Sequence, residues 1–269
     1  MVKAMREIEE RLRVIDVIIE LADARAPLSS RNPFLETITA GKKRLLVMTK
    51  KDLCDRERLH PFEVFYQEKG YQTLIADLND RKDIQKIVAG ALELGRSTQE
   101  KYLRKGMKVQ PLRVMIIGIP NVGKSTLINR LAGRNSASVR NAPGHTRAQQ
   151  WIRINEKFEL LDTPGILPPH YEDPTVSLNL ALIGSIKENI LPLDVLYSHL
   201  IDFLRAEYPA CFRRYDADPA LEEAALTEKI ARSRGLLLKG GEIDEEATKQ
   251  MLLREFRDGI LTPVVIDRC

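Results

Sequence analysis

The chain has 269 residues, of which 43% are hydrophobic and 30% charged, and its formal net charge at pH 7 is +4. These proportions are typical of a soluble globular protein. No apolar run is long enough to cross a bilayer, and the N-terminus lacks the apolar core of a signal peptide. We therefore expect a cytoplasmic protein without a membrane contact. Three scattered cysteines are too few for a disulfide framework, and four scattered histidines do not suggest a zinc site.

The first 165 residues alternate strand-like apolar runs with amphipathic helical patterns, which is typical of an α/β protein with a parallel sheet. Strands are predicted over residues 14–21, 44–48, 72–76 and 112–117, with a final hairpin of strands 150–154 and 157–161. Helices are predicted over residues 57–69, 83–94 and 125–131. Residues 96–111 are polar and basic, and they are interpreted as a linker that follows a helix stop at Gly95.

The strand pattern disappears after Pro168 and Pro169, and helical patterns take its place. These patterns cover residues 176–187, 195–206, 222–234 and 245–257. We therefore predict an α/β domain over residues 1–170 and a smaller all-helical domain over residues 171–269.

The segment Gly118–Ser125 fits the pattern G-x4-G-K-S and lies between a predicted strand and a predicted helix, the context that supports a P-loop. Its backbone N–H groups would surround phosphate oxygens at a helix N-terminus. Lys124 is predicted to neutralise the β and γ oxygens, and Ser125 to supply a hydroxyl to Mg²⁺. A glycine-rich turn without a ligand is the alternative. The predicted phosphate-binding residues are Asn121, Val122, Gly123, Lys124, Ser125 and Thr126.

A D-x-x-G tetrapeptide, Asp162 to Gly165, follows the last predicted strand. Asp162 would hold Mg²⁺ through water and the Gly165 N–H would meet the γ-phosphate, although the tetrapeptide alone could form an ordinary Asx turn. The polar loop before it contains Thr146, which would close onto Mg²⁺ and the γ-phosphate when GTP is bound. The predicted catalytic residues are Lys124, Thr146 and Gly165, and the predicted Mg²⁺ ligands are Ser125, Thr146 and Asp162.

Residues 49–52, at the end of a predicted strand, resemble the guanine motif N-K-x-D, with Thr49 in place of asparagine. The carboxylate of Asp52 can accept two N–H bonds from guanine, which adenine does not offer, and the stem of Lys50 can pack against the ring. After the next strand, Ala76 and Asp77 are predicted to contact the guanine carbonyl. The alternative for residues 49–52 is a solvated charged loop. A further functional hypothesis is an ATPase or small-molecule kinase, and Asp52 argues against it.

The order of these motifs is rotated relative to a Ras-like GTPase, in which the P-loop comes first and the guanine motif late. Here the guanine motif precedes the P-loop, and the D-x-x-G motif comes last. A circular permutation preserves the site if the sheet neighbours are unchanged, with residues 96–111 joining the ordinary chain ends. The predicted fold is therefore a circularly permuted, Ras-like P-loop GTPase domain of the α/β class, followed by the helical domain.

This order resembles the circularly permuted YlqF/RbgA family of ribosome-assembly GTPases, as do residues 23–27, 30–33, 116–131 and 160–167 and the pair Gly240-Gly241. The resemblance covers essentially the whole chain. It implies binding of GTP and GDP with Mg²⁺, GTP hydrolysis, and partnership with a precursor of the large ribosomal subunit and its rRNA; we expect a monomer. The helical domain would face RNA with Arg213, Arg214, Lys229, Arg232, Arg234 and Lys239, although acidic stretches interrupt this surface.

Ile166 stands where Ras-type enzymes place the glutamine that orients the attacking water, so we expect slow intrinsic hydrolysis and activation by ribosomal particles. The resemblance assigns water positioning to a histidine in an N-terminal P-G-H segment that is not found here, so the sequence is N-terminally truncated or another group takes this role. His145 is one candidate, with an ordinary polar loop residue as the competing interpretation. Asn121 matches a position that helps to bind K⁺ in related GTPases, or it stabilises the turn.

Because the segment after Gly165 leads into the helical domain, γ-phosphate-dependent movement should reach that domain. A non-hydrolysing GTP-binding scaffold on rRNA or ribosomal particles is the alternative function.

Overall fold

The computed structural model describes residues 10–108, 110–133, 151–156, 158–161, 173–186 and 191–269. The strands are β1 Val17–Asp23, β2 Lys43–Thr49, β3 Gln72–Ile75, β4 Leu112–Gly118, β5 Trp151–Asn155 and β6 Phe158–Leu161. The helices are α1 Pro33–Ile38, α2 Arg56–Glu68, α3 Arg81–Arg104, α4 Lys124–Ala132, α5 Pro174–Leu182, α6 Leu193–Glu207, α7 Glu223–Arg234 and α8 Glu245–Arg257. Short 3₁₀ helices cover Lys51–Leu53 and Pro209–Tyr215.

The six strands form one sheet in the order β3-β2-β1-β4-β6-β5, and every pair is parallel except β5 with β6. The chain winds outward from β1 to β3 and then returns, which places β4 directly beside β1. Ligands bind at such a switch point, outside the carboxyl ends of the strands. There Leu21 of β1 lies opposite Gly118 of β4, and Asp23 lies opposite Thr49 of β2. The predicted α/β fold with a permuted motif order is confirmed.

Strand β1 and helix α1 differ from the sequence prediction. The strand begins at Val17 and not at residue 14, because the backbone N–H groups of Val14 and Ile15 bond to carbonyls three residues earlier in a turn. Helix α1 was not predicted, although Asn32 and Pro33 are strong signals for a helix start. The side chain of Asn32 accepts the N–H of Phe34 at 3.0 Å.

The predicted helix stop at Gly95 and linker at residues 96–111 are wrong, because α3 continues to Arg104. Gly95 is buried, and a Cβ placed on it would overlap the side chain of Leu112 in β4, so this glycine allows the helix to lie close to the sheet. A glycine inside a helix can serve close packing as well as termination. Although α3 has 24 residues, neither it nor any other helix of the described part is long and apolar enough to span a membrane.

From residue 173 onward the described chain is mainly helical, as predicted, and α8 has the predicted bounds. Helix α5 ends earlier than expected, at Leu182, before Gly184 with φ 75°. The buried side chains of α6 recur at helical spacing: Leu196, Tyr197, Leu200, Ile201 and Leu204. They belong to the same apolar cluster as sheet residues such as Ile116 and Val47. The division at residue 170 stays a prediction.

The buried side chain of Arg25 joins the helical region to the sheet. Its guanidinium donates to the carboxylate of Asp23, at the end of β1, with N···O distances of 3.0 and 2.9 Å. It also donates to the carbonyl oxygens of Arg257, at the end of α8, and Ile183, just after α5, at 3.0 and 3.1 Å. One side chain therefore holds together three segments that are distant in sequence.

We expect Arg25→Met to lower the free energy of unfolding by about 3–5 kcal/mol, because it leaves the buried carboxylate of Asp23 without its main counter-charge. The matched control is Arg58→Met, since Arg58 joins α2 to Glu207 of α6 but is 41% exposed. That variant should lose at most about 1 kcal/mol. Urea unfolding of both variants at pH 7 measures the difference, and equal losses would contradict the assignment.

Candidate nucleotide-binding site

The loop between β4 and α4 is closely packed and depends on two glycines in the left-handed region. Gly118 has φ 151°, and a Cβ on it would lie 2.7 Å from the carbonyl oxygen of Leu21 in β1. Gly123 has φ 100°, and a Cβ on it would lie 2.7 Å from Cδ1 of Leu78. Larger residues are therefore excluded at both positions on conformational and steric grounds. The loop has the close backbone approach that a phosphate cradle requires.

The loop ends at the N-terminus of α4, where Gly123 has no side chain to cap the first turn. Backbone N–H groups at such a helix start are suited to bind an anion. Lys124 is 9% exposed, and its ammonium donates to the carbonyl of Ile119 within the same loop. Ser125 and Thr126 are exposed in the first turn. This arrangement fits phosphate groups, with a buried cation beside the loop.

Thr49 connects the predicted guanine motif directly to the P-loop. Its buried hydroxyl lies 2.8 Å from the carbonyl oxygen of Val122 and 3.0 Å from that of Ala22. Although Thr49 replaces the asparagine of the motif, its hydroxyl therefore contacts the P-loop. Asp52 follows in the 3₁₀ helix, and its side chain is exposed.

Lys50 has φ 58°, and its ammonium lies 2.8 Å from Oδ2 of Asp23. Burial by itself would raise the pKa of Asp23, but the charges and hydrogen bonds of Arg25 and Lys50 hold that pKa below its usual value. The carboxylate is therefore ionised, and it orients both cations. The sequence pattern of residues 23–27 indicated a family resemblance but did not predict that Asp23 pairs with Arg25 and Lys50.

The predicted guanine-carbonyl segment lies next to the guanine motif. The N–H of Ala76 donates to the carbonyl of Met48 at 2.9 Å, and the N–H of Lys51 donates to the carbonyl of Ala76 at 3.3 Å. The side chain of Asp77 accepts the N–H of Asn79 at 2.8 Å in an Asx turn. The structure thus brings residues 49–52 and 76–77 together at the carboxyl ends of the neighbouring parallel strands β2 and β3.

Asn121 lies in the left-handed region with φ 62°, and its side chain is exposed. Its amide nitrogen donates to the carbonyl of Gly184, after α5, at 2.8 Å. The P-loop therefore contacts the helical region directly. This contact does not decide between a K⁺ ligand and a turn-stabilising residue.

The remaining predicted residues, Thr146, Asp162 and Gly165, lie outside the described residues, as do Ile166 and His145. Of the predicted Mg²⁺ ligands only Ser125 can be placed, in the first turn of α4. The described ranges contain no group of three or more His, Cys, Asp or Glu side chains arranged to hold a metal ion.

Comparison with known proteins gives consistent matches over most of the chain. A family model described as a 50S ribosome-binding GTPase matches residues 113–216. A protein of Bacillus cereus named ribosome biogenesis GTPase A is 41% identical over 97% of this chain and 89% of its own length. Its Bacillus licheniformis counterpart is 40% identical over 100% of this chain and 95% of its own length. A mouse protein named mitochondrial ribosome-associated GTPase 1 is 30% identical over 100% of this chain.

Solved structures share the fold. The crystal structure of GNP-bound YlqF from T. maritima superposes with a TM-score of 0.70 at 24% identity and covers 99% of this chain and 98% of its own. A GDP-bound structure of the same protein gives the same TM-score and identity and covers 98% of this chain and 99% of its own.

We expect Thr49→Val to weaken guanine-nucleotide binding about 5- to 30-fold, because it removes the hydroxyl that meets the P-loop carbonyl while conserving side-chain shape. Thr49→Ser keeps the hydroxyl and should bind within about twofold of the unmodified protein. Titration with a fluorescent GDP analogue measures both. Unchanged affinity in the valine variant would refute the positioning role of Thr49.

Proposed function

The chain belongs to the YlqF/RbgA family of circularly permuted GTPases, and we propose that it is a GTP-binding switch that hydrolyses GTP slowly and assists assembly of the large ribosomal subunit. The observation that carries the proposal is the hydrogen bond from Thr49 to Val122, which joins the base-recognition segment to the phosphate loop at the switch point of the sheet. The names of the bacterial relatives support the ribosomal role, and we place that role in the cytoplasm.

In this proposal the P-loop binds the phosphates and Lys124 neutralises the β and γ oxygens. Asp52 selects guanine through two accepted N–H bonds, and Ala76 with Asp77 meets its carbonyl edge. Mg²⁺ would partly neutralise the β- and γ-phosphates, and its predicted ligands are Ser125, Thr146 and Asp162. Gly165 and Thr146 would sense the γ-phosphate.

Coupling to the helical region is the second part of the proposal. The segment after Gly165 leads toward α5, so its movement would be passed on. Contacts among the described residues support this coupling from the other side of the site, since Asn121 bonds to Gly184 and Arg25 bonds to Ile183 and Arg257. A change at the P-loop would therefore reach the end of α5, and a change at the end of β1 would reach the ends of both α5 and α8.

The proposed RNA-facing surface is only moderately basic. Several of its cations form ion pairs: Arg214 and Arg234 with Glu255, Lys229 with Asp216, and Arg232 with Glu228. These pairs lower the local positive potential, so the rRNA partner is proposed mainly from the family relationship.

We expect the protein to co-sediment with large ribosomal subunits in the presence of a non-hydrolysable GTP analogue and to dissociate with GDP. Single-turnover GTP hydrolysis should be slow alone and faster with the particles. Lys124→Ala is the control, since it should remove both effects. GTP-dependent co-sedimentation without hydrolysis in any condition would favour the scaffold alternative, and nucleotide-independent co-sedimentation would refute the switch.

We also propose that K⁺ stimulates hydrolysis through the side-chain oxygen of Asn121. The rate should then be higher in K⁺ than in Na⁺, and Asn121→Ala should remove the difference. Asn121→Asp keeps an oxygen ligand but loses the N–H that bonds to Gly184, so it should keep the K⁺ effect. Loss of the K⁺ effect in both variants would assign Asn121 to the contact with Gly184 instead.

A further inference from the structure

A buried carboxylate lies between the two segments proposed to recognise the base. We name residues 49–52 and 76–77 the base loops. Asp83, in the first turn of α3, is 1% exposed. Its Oδ2 accepts the ammonium of Lys51, from the first base loop, at 3.1 Å, and the backbone N–H of Asp77, from the second, also at 3.1 Å. One oxygen atom therefore bridges both loops.

The charge balance around Asp83 favours an ionised carboxylate. Burial alone would raise its pKa, but hydrogen bonds from Lys86, Asp77 and Lys51 lower it to about 2. The ammonium of Lys86, on the same helix, lies 2.9 Å from Oδ1. The bridge is consequently charge-assisted near neutral pH, and such hydrogen bonds are stronger than neutral ones.

Local structure does not require this carboxylate. Helix α3 is already capped by Asp80, whose side chain accepts the N–H of Lys82 at 2.8 Å. The turn at Asp77 is closed by its own side chain on Asn79. Asp83 adds a connection between elements, since it ties a lysine of one base loop to the backbone of the other.

We infer that Asp83 is a positioning residue for guanine selectivity, because it fixes the spacing between the loop that carries Asp52 and the loop that meets the guanine carbonyl. This inference rests on the proposed GTP-binding function. Without the bridge, the base loops would still be joined by the N–H of Lys51 on the carbonyl of Ala76, but their spacing would be less firmly fixed. The P-loop, held by Thr49, would keep its contacts with phosphate. Loss of Asp83 should therefore weaken recognition of the base more than recognition of the phosphates.

Inosine diphosphate tests one base contact of Asp52, because its base lacks the 2-amino group that Asp52 would bind but keeps the carbonyl and the N1–H. We expect the unmodified protein to bind GDP about tenfold more tightly than inosine diphosphate. In Asp83→Ala, GDP affinity should fall roughly tenfold and inosine diphosphate affinity much less, so their ratio approaches one. Asp83→Asn, which keeps one oxygen for Asp77 but loses the charge that holds Lys51, should give an intermediate ratio. Isothermal titration with both nucleotides measures these values.

Asp80→Ala is the matched control, since it removes a side-chain bond at the same helix end without touching either base loop. This variant should have lower thermal stability, and its ratio of GDP affinity to inosine diphosphate affinity should be unchanged. Lys51→Met should lower the ratio in the same direction as Asp83→Asn. If Asp83→Ala and Asp83→Asn weaken GDP and inosine diphosphate by one common factor, Asp83 is only a structural ion-pair partner and the inference is overturned. Unmodified protein that binds GDP no better than inosine diphosphate and ADP would overturn the proposed function as well.

Discussion

The buried ion pair of Asp23 and Arg25 is the interaction on which the rest of the site depends. Both side chains are almost fully excluded from solvent, at 0% and 2% exposure, so neither charge could be buried there without a partner. Lys50 shares the carboxylate, which ties the guanine motif to the end of β1. The remaining guanidinium N–H groups reach the carbonyls of Ile183 and Arg257. The pair thus fixes base-recognition residues and helix ends relative to one point of the sheet.

The segment after α8 extends this arrangement along the guanine motif. Val264 donates to the carbonyl of Leu53 at 3.1 Å and accepts the N–H of Asp55 at 3.3 Å, while Ile266 donates to the carbonyl of Arg25 at 2.7 Å. Asp267 then accepts the N–H groups of residues 28 and 29. The contacts of Val264 and Ile266 are backbone hydrogen bonds, whereas Asp267 accepts through its side-chain carboxylate. Residues 264–267 therefore lie beside the segment that follows the predicted guanine motif.

Sequence patterns were sufficient where the signal is local. Strands β2 and β4 and helix α8 were predicted to within one residue at each end, because a buried parallel strand is continuously apolar and a surface helix is periodic. The P-loop motif could likewise be recognised in the sequence, because its glycine spacing is also a local pattern. The role of Arg25 was not predictable, since its partners Ile183 and Arg257 lie 158 and 232 residues away. Asp83 could have been suspected as an acid in the first helical turn after a predicted base loop, but its contact with Lys51 depends on how β2 and β3 pair.

The P-loop is held from two sides by different parts of the chain, and this bears on how a nucleotide signal could travel. On one side Val122 accepts the hydroxyl of Thr49, from the sheet. On the other side Asn121 donates to Gly184, from the helical region. The two attachment points, Val122 and Asn121, are adjacent in sequence. Since packed elements shift as units, a movement of this loop would act on β2 and on the end of α5, which is the route that the proposed switch function requires.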